Sequence, residues 1–162
     1  MVSDVQSAIA QTRALVYGLR EPGLENGGLV RMIRERARST EQLRIRVEAP
    51  TELSRIPAPI ELTALRIVQE AVTNVRRHAG ATHCEVRLGV QGDALEIAVD
   101  DDGSGMPAEP VSGVGLASLR DRVAGLGGAL RVQRSPLGGV RIAARLPLTA
   151  EASVASSREE TA

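Results

Sequence analysis

The chain has 162 residues, with 20 basic and 20 acidic side chains and a formal net charge of zero. This length suits one globular domain with a short appendage, and the balanced charge argues against nucleic acid as the main partner. The single Cys84 excludes an internal disulfide and favours a reducing, cytoplasmic setting, while no apolar run reaches the ~18 residues of a membrane span.

The first predicted elements are two amphipathic helices and a strand. Apolar residues at helical spacing predict a helix over residues 3–19, which ends at the Pro22-Gly23 pair. A second helix is predicted over residues 29–37. Alternation of apolar and charged residues over 43–47 then predicts a strand with one exposed face.

A long helix is predicted over residues 60–79, beginning near Pro59, because apolar residues recur there at helical spacing. Glu70, Asn74 and His78 are spaced four residues apart, so they share one face of this helix. The helix therefore presents a carboxylate, an amide and an imidazole in one polar row.

The C-terminal half contains two predicted hairpins separated by a helix. Alternation predicts strands over 84–90 and 95–99, the second running into three consecutive aspartates, and strands over 130–132 and 140–146. A helix is predicted over 115–124, and the composition from residue 149 predicts a disordered tail. These elements predict a two-layer α/β sandwich with a mixed, mostly antiparallel sheet.

The polar row on the long helix has the chemistry of a magnesium site. The amide oxygen of Asn74 offers a neutral ligand, and Glu70, one turn earlier, can hold a metal-bound water. The alternative is that both side chains face solvent on an ordinary amphipathic helix. Because no lysine occurs in the chain, a Walker A loop is excluded, and any nucleotide site must use another architecture.

Two glycine-containing segments follow the helix. Asp101, with Gly103 and Gly105 after it, can accept a hydrogen bond from the exocyclic amine of adenine, although an ordinary acidic turn has the same composition. Gly113 and Gly115 precede a helix, and free N–H groups at a helix N-terminus suit phosphate. Either segment alone is weak evidence for a nucleotide site.

In combination, these motifs resemble a known family. Residues 60–148 resemble the catalytic, ATP-binding domain of two-component sensor histidine kinases, in the GHKL superfamily with its Bergerat fold. Residues 68–79 resemble the N box of that family, and 101–105 and 113–123 resemble its two glycine boxes. The short segment between the glycine boxes is most similar to the subfamily that pairs with LuxR/NarL-type response regulators. The resemblance implies helices on one face of the sheet, and ATP and Mg as cofactors.

The resemblance also implies roles for individual residues. Asn74 ligates Mg and Glu70 supports its water shell, which makes these two the catalytic residues. Arg77 and His78 face the phosphates, and Asp101 contacts adenine. The other implied nucleotide contacts are Gly103, Gly105, Met106, Gly113, Gly115 and Leu116.

Two departures from the family affect what we expect. Val140 follows Gly138-Gly139 where the family usually has threonine, so nucleotide affinity is expected to be lower. The chain contains two histidines only: His78 in the N box, and His83, which we expect to be an exposed residue at a sheet edge. Neither fits the phosphoacceptor histidine of the dimerisation helices.

We therefore expect residues 1–24 to be a remnant of a dimerisation domain, 25–148 to be the catalytic domain, and 149–162 to be the tail. The domain would position Mg-ATP for transfer to a histidine that the chain lacks, so self-phosphorylation is not expected. The full-length kinase would be a homodimer with a LuxR/NarL-type response regulator as its partner. This domain would be cytoplasmic, whether or not the full-length protein is anchored in a membrane. The alternatives are a regulatory module such as an anti-sigma-factor serine kinase, or a degenerate partner-binding domain.

Overall fold

The computed structural model of the chain describes residues 28–51, 53, 56–78, 80–105 and 114–149. The predicted helix over 3–19 and the predicted tail after Thr149 lie outside the described residues. The side chains of His78 and Val114 are also outside the description.

The described part of the chain forms three helices and five strands. The helices are α1 (Gly28–Arg36), α2 (Ala58–His78) and α3 (Val114–Gly125). The strands are β1 (Arg44–Glu48), β2 (His83–Gln91), β3 (Ala94–Asp101), β4 (Ala129–Arg134) and β5 (Val140–Pro147). The elements predicted within the described residues are all confirmed, with ends shifted by at most two residues.

The five strands form a single sheet in the order β1-β2-β3-β5-β4. β1 and β2 are parallel, and the other three pairings are antiparallel, which confirms the predicted mixed, mostly antiparallel sheet. β3 is the central strand. β2 lies between β1 and β3, so the expectation that His83 occupies a sheet edge is wrong, although its side chain is exposed as expected.

Helix α2 is the main helix of the second layer. It begins where the carbonyl oxygen of Pro57 accepts hydrogen bonds from the N–H groups of Ile60 (2.9 Å) and Glu61 (3.0 Å). Pro59 lies in this first turn, where a missing N–H costs nothing. Gly80, two residues after the helix, has φ = 56°, the left-handed conformation that commonly follows a helix end.

The core lies between the sheet and the helices. α2 contacts β2, β3, α1 and α3, while α3 also contacts β4. Leu65 and Val68 of α2 are fully buried, as are Val86 and Leu95 of the sheet, while Leu130 and Val132 of β4 are partly buried against the same core. Full burial of such a side chain contributes about 1.5–3 kcal/mol relative to exposure. This is the predicted two-layer α/β sandwich.

Alternation along the strands places a second set of residues on the opposite face of the sheet, here called the outer face. On the central strand, Leu95, Ile97 and Val99 point toward the helices, while Glu96 and Asp100 alternate with them and point outward. Among the described helices, none is long and apolar enough to cross a membrane.

Candidate nucleotide-binding site

The polar row of α2 lies against the start of α3. Glu70 and Asn74 are both half-buried and are one helical turn apart. Gly115, in the first turn of α3, approaches so closely that a Cβ at this position would overlap the Glu70 carboxylate. Leu116 packs against the core beside it. The fold therefore brings the proposed metal-binding helix and the second glycine segment together, and a side chain at position 115 would require the Glu70 carboxylate to move away.

This arrangement suits a cation that takes few ligands from the protein. Glu70 and Asn74 supply one carboxylate and one amide oxygen. Among the described residues, no group of three or more His, Cys, Asp or Glu side chains could hold a metal ion by itself. Mg prefers oxygen ligands and commonly completes its shell with water and phosphate oxygens, so these two residues fit it when a nucleotide is present.

Asp101 ends the central strand in a buried position, with 4% of its surface exposed. Its Oδ1 accepts hydrogen bonds from the N–H groups of Gly103 (2.8 Å) and Val140 (3.2 Å). Its Oδ2 has no partner within the described part of the chain. Because a buried carboxylate oxygen without a partner is unfavourable, Oδ2 is ready to accept a hydrogen bond from a ligand.

The β4–β5 loop closes over the first glycine segment. Gly139 donates its N–H to the carbonyl oxygen of Asp101 at 3.0 Å. A Cβ on Gly139 would lie 2.6 Å from the nitrogen of Gly103 and 2.7 Å from the Asp101 carbonyl oxygen. Gly105 has φ = 82° and also faces this loop, with the Gly138 carbonyl oxygen 3.8 Å from its ideal Cβ. This role of Gly139 was not predicted from the sequence, in which the Gly-Gly pair was the available signal.

Asp102 joins the end of β3 to the start of β2. Its Oδ1 accepts the N–H groups of Thr82 and His83, both at 2.8 Å, and its Oδ2 accepts the Thr82 hydroxyl at 2.8 Å. The Nδ1 atom of His83 lies 3.2 Å from the same Oδ2. Partial burial would raise the pKa of Asp102, but the hydrogen bonds from His83 and Thr82 outweigh it and lower the pKa to about 2.

Asp100 points to the outer face and is fully buried there. Arg141 donates to it from Nε (2.7 Å) and from a terminal nitrogen (2.9 Å), Arg87 from a terminal nitrogen (2.8 Å), and Ser135 from its hydroxyl (2.9 Å). Burial would raise the pKa of Asp100, but the hydrogen bonds from Arg141, Arg87 and Ser135 outweigh it and keep the pKa below its usual value. This cluster was not predicted from the sequence, because its members come from three strands and a loop.

Cys84 lies directly opposite Asp101 on β2. Burial, followed by the negative charges of Asp101 and Asp100, raises the pKa of its thiol to about 12. The thiol is therefore neutral and unreactive at physiological pH.

The remaining predicted residues are placed only in part. Arg77 is exposed near the end of α2. The side chain of His78, together with Met106 and Gly113, lies outside the described residues. The structure thus assembles two groups: Glu70, Asn74, Gly115 and Leu116 where α2 meets α3, and Asp101, Gly103 and Gly105 at the end of β3.

Comparison with known proteins places this fold among ATP-binding domains. Residues 60–150 match the family described as "Histidine kinase-, DNA gyrase B-, and HSP90-like ATPase". The chain is 30% identical over 152 residues to the signal transduction histidine-protein kinase/phosphatase DegS of Brevibacillus brevis, a match covering 91% of this chain and 39% of DegS. It is 32% identical over 154 residues to the sensor histidine kinase NarS of Mycobacterium tuberculosis, covering 91% of this chain and 36% of NarS. The chain therefore spans well under half the length of these curated relatives.

Solved structures show the same architecture. The ATP binding domain of PrrB from Mycobacterium tuberculosis is 32% identical and superposes with a TM-score of 0.55, over 75% of this chain and 92% of that one. The histidine kinase domain of the blue-light activated kinase EL346 from Erythrobacter litoralis is 24% identical, with a TM-score of 0.58 over 75% of this chain and 61% of that one. The second likeness concerns the fold alone.

Proposed function

The chain belongs to the histidine kinase-, DNA gyrase B- and HSP90-like ATPase family, and we propose that it is the ATP-binding catalytic domain of a sensor histidine kinase. The observation that carries the proposal is the buried Asp101 carboxylate, whose Oδ2 lacks a partner among the described residues. Adenine offers an exocyclic amine with the donor that this oxygen needs. The Asp101 carboxylate would then be the group that distinguishes adenine from guanine.

The proposed nucleotide lies between the two assembled groups. Asp101 accepts a hydrogen bond from adenine, and Gly103 and Gly105 shape the wall around the base. The phosphates lie toward the start of α3, where unpaired N–H groups and the helix dipole favour anions. We further propose that Arg77, His78, Met106, Gly113, Gly115 and Leu116 complete the nucleotide contacts.

We propose Asn74 as the direct ligand of Mg, with Glu70 acting through water. When bound, Mg neutralises charge on the phosphates. The contribution of the chain itself is to bind and orient ATP, since phosphoryl transfer depends mainly on positioning and electrostatic stabilisation. The acceptor in this proposal is a histidine on a dimerisation domain of the same kinase.

The partners of the full-length protein follow from the relatives as proposals. DegS and NarS carry kinase names, and the second is a sensor kinase by name. This favours a histidine kinase over the serine-kinase alternative. We propose a response regulator of the LuxR/NarL type as the downstream partner, and a homodimer as the state of the full-length kinase.

Calorimetry with Mg-ATP tests the metal-binding part of the proposal. Asn74→Asp is nearly isosteric, but it adds a negative charge beside the triphosphate and changes the ligand set, so Mg-ATP binding should be lost. Gln91→Glu is the matched control, because it adds the same charge at the far, exposed end of β2 and should bind normally. Unchanged affinity in Asn74→Asp, with a normal melting curve, would remove Asn74 from the site.

Base selectivity tests the role of Asp101. The parent protein should prefer ATP to GTP, and Asp101→Asn should weaken ATP binding by roughly tenfold to a hundredfold, the range for loss of a hydrogen bond to a charged group. Equal affinity of the parent for ATP and GTP would show that Asp101 does not contact the base.

A phosphorylation assay distinguishes the two kinase classes. With labelled ATP, the chain alone should acquire no stable label. The side chain of His83 is exposed beside Asp102, and His83 belongs to neither of the two glycine segments that would hold the nucleotide. Adding a separate histidine-bearing dimerisation domain should give weak, acid-labile labelling of that domain. Acid-stable label on a serine of a partner would favour the alternative, and acid-labile label on the isolated chain would contradict the proposal.

A further inference from the structure

Asp100 lies next to Asp101 in the chain but on the other face of the sheet. Its side chain is 1% exposed, and both of its oxygens are fully engaged. Oδ1 accepts from Arg141 and Ser135, while Oδ2 accepts from Arg141 and Arg87. The two arginines come from the strands on either side of β3, so the carboxylate ties three neighbouring strands together.

The same carboxylate also holds the β4–β5 loop. Ser135, which donates to Asp100, accepts the N–H of Leu137 at 3.1 Å on its hydroxyl oxygen. The backbone of Ser135 donates to the carbonyl oxygen of Gly139 at 2.9 Å and accepts the N–H of Gly138 at 3.0 Å. Ser135 therefore holds this loop through its backbone and its hydroxyl, and the hydroxyl is itself bonded to Asp100.

The loop in turn fixes the carboxylate of Asp101. Gly139 donates to the Asp101 backbone, and Val140 donates to its Oδ1. Val140 immediately precedes Arg141 in β5. One end of this strand therefore bonds to Asp101 through Val140 and to Asp100, on the outer face, through Arg141. Asp100 thus holds, from the outer face, both segments that orient Asp101 on the inner face.

We propose that Asp100 is a positioning residue for base recognition: it holds the 135–139 loop and β5 so that Oδ2 of Asp101 faces the adenine. This rests on the proposed function of Asp101. A buried ion pair contributes little net stability compared with apolar residues of the same shape, but it fixes geometry through directional hydrogen bonds. The expected consequence of losing Asp100 is therefore a loss of base selectivity in addition to any loss of stability.

The test compares ATP with inosine triphosphate, which lacks the exocyclic amine of adenine. Asp100→Asn keeps the shape of the side chain and removes its charge. The ratio of the two affinities, at least tenfold in the parent, should fall toward the ratio in Asp101→Asn. A general loss of stability would weaken both nucleotides equally and leave the ratio unchanged. In the Asp101→Asn background, Asp100→Asn should not change the ratio further.

Two other variants complete the test: a milder one that can be used if Asp100→Asn folds poorly, and a control. Ser135→Ala removes one of the four hydrogen bonds to Asp100 and the link to the loop, and it should lower the ratio by a smaller factor. Glu96→Gln is the control, because Glu96 is on the same strand and the same outer face but pairs with the exposed Arg145. It should keep the parent ratio.

Amide hydrogen exchange measures the same coupling without nucleotide. In Asp100→Asn or Ser135→Ala, the N–H groups of Gly139 and Val140 should exchange at least tenfold faster, while those between β1 and β2 stay unchanged. Parent-like exchange and a parent-like affinity ratio in both variants would overturn the inference. If the parent itself does not prefer ATP, the proposed role of Asp101 is wrong. Faster exchange would then show that Asp100 orders the loop without serving base recognition, which also overturns the inference.

Discussion

A methyl group at position 139 would be placed directly against the first glycine segment. In Gly139→Ala, the new Cβ would lie 2.6 Å from the Gly103 nitrogen and 2.7 Å from the Asp101 carbonyl oxygen, and real Cβ atoms essentially never come closer than 3.0 Å to such atoms. The new Cβ would also overlap the Asp101 Oδ1 atom, but these two neighbours are backbone atoms, so they cannot rotate away as a side chain can. The β4–β5 loop must move outward.

The cost of this movement follows from the contacts it breaks. Two hydrogen bonds hold the loop to Asp101, from the N–H groups of Gly139 (3.0 Å) and Val140 (3.2 Å). Loss of both costs about 2 kcal/mol, and residual overpacking costs about 1–3 kcal/mol. Because outward movement relieves the overlap as it breaks the bonds, the two costs partly replace each other. The free energy of unfolding should fall by about 2–4 kcal/mol.

Urea denaturation followed by far-UV circular dichroism measures this change, since the chain has no tryptophan and one tyrosine for fluorescence. Gly89→Ala is the matched control: it also lies in the sheet, its ideal Cβ has no atom within 4 Å, and its φ is not positive. Its stability should equal that of the parent or exceed it by about 0.4–1 kcal/mol. If Gly139→Ala and Gly89→Ala unfold at the same urea concentration, the loop does not close tightly on Asp101.

Three other perturbations probe neighbouring groups. The Asp102 pKa of about 2 lies below its ordinary 3.8, so the contribution of Asp102 to stability is present above pH 4 and is lost as the pH falls through 2. Asp102→Asn should therefore be about 1 kcal/mol less stable than the parent at pH 6, after allowance for solvent screening. The urea midpoints of the variant and the parent should converge as the pH is lowered toward 2.5. The Cys84 thiol, with a pKa of about 12, should resist a disulfide reagent at pH 8 in the native protein and react in urea; rapid native reaction would show that it is accessible. Val140→Thr should raise ATP affinity a few-fold in calorimetry by adding a hydroxyl beside Asp101, and an unchanged Kd would show that the threonine is not needed here.

Local periodicity was sufficient to predict most of the elements of the fold. The first two described helices, α1 and α2, each have an apolar face that repeats with the helical period, and each strand of the two hairpins alternates. The third, α3, has little periodicity and was predicted from the glycines at its two ends. The turn between β2 and β3 could also be predicted, because a glycine separates the two alternating segments. In the structure this residue, Gly92, has the positive φ of 60° that a tight turn requires.

Strand order was not readable in the same way. Besides its hairpin partner β3, strand β2 pairs with β1, and the whole of helix α2 separates β1 from β2 in the sequence. Parallel pairing needs such a crossover, and no local pattern specifies which strand the crossover reaches. For this reason the position of His83 at a sheet edge was predicted wrongly, while its exposure was predicted correctly.

In the candidate site, too, features within one segment could be predicted from the sequence, and contacts between distant segments could not. Asp101 and its glycines form one short segment, so residue type and spacing were enough to select them. The contacts of Gly115 with Glu70, and of Gly139 with Asp101, join segments about forty residues apart. Their pairing depends on the tertiary fold, and residue type alone could not reveal it.

Three consecutive aspartates at the end of a central strand would repel one another unless each charge had its own environment. Alternation sends Asp100 to the outer face, where two arginines and a serine satisfy both of its oxygens. Asp102, beyond the strand, is satisfied by Thr82 and His83. Asp101 points inward, and within the described residues its Oδ2 is the one oxygen of the six without a partner. Since the protein satisfies the aspartates on both sides, the unsatisfied oxygen supports our proposal that Asp101 is the residue that contacts the base.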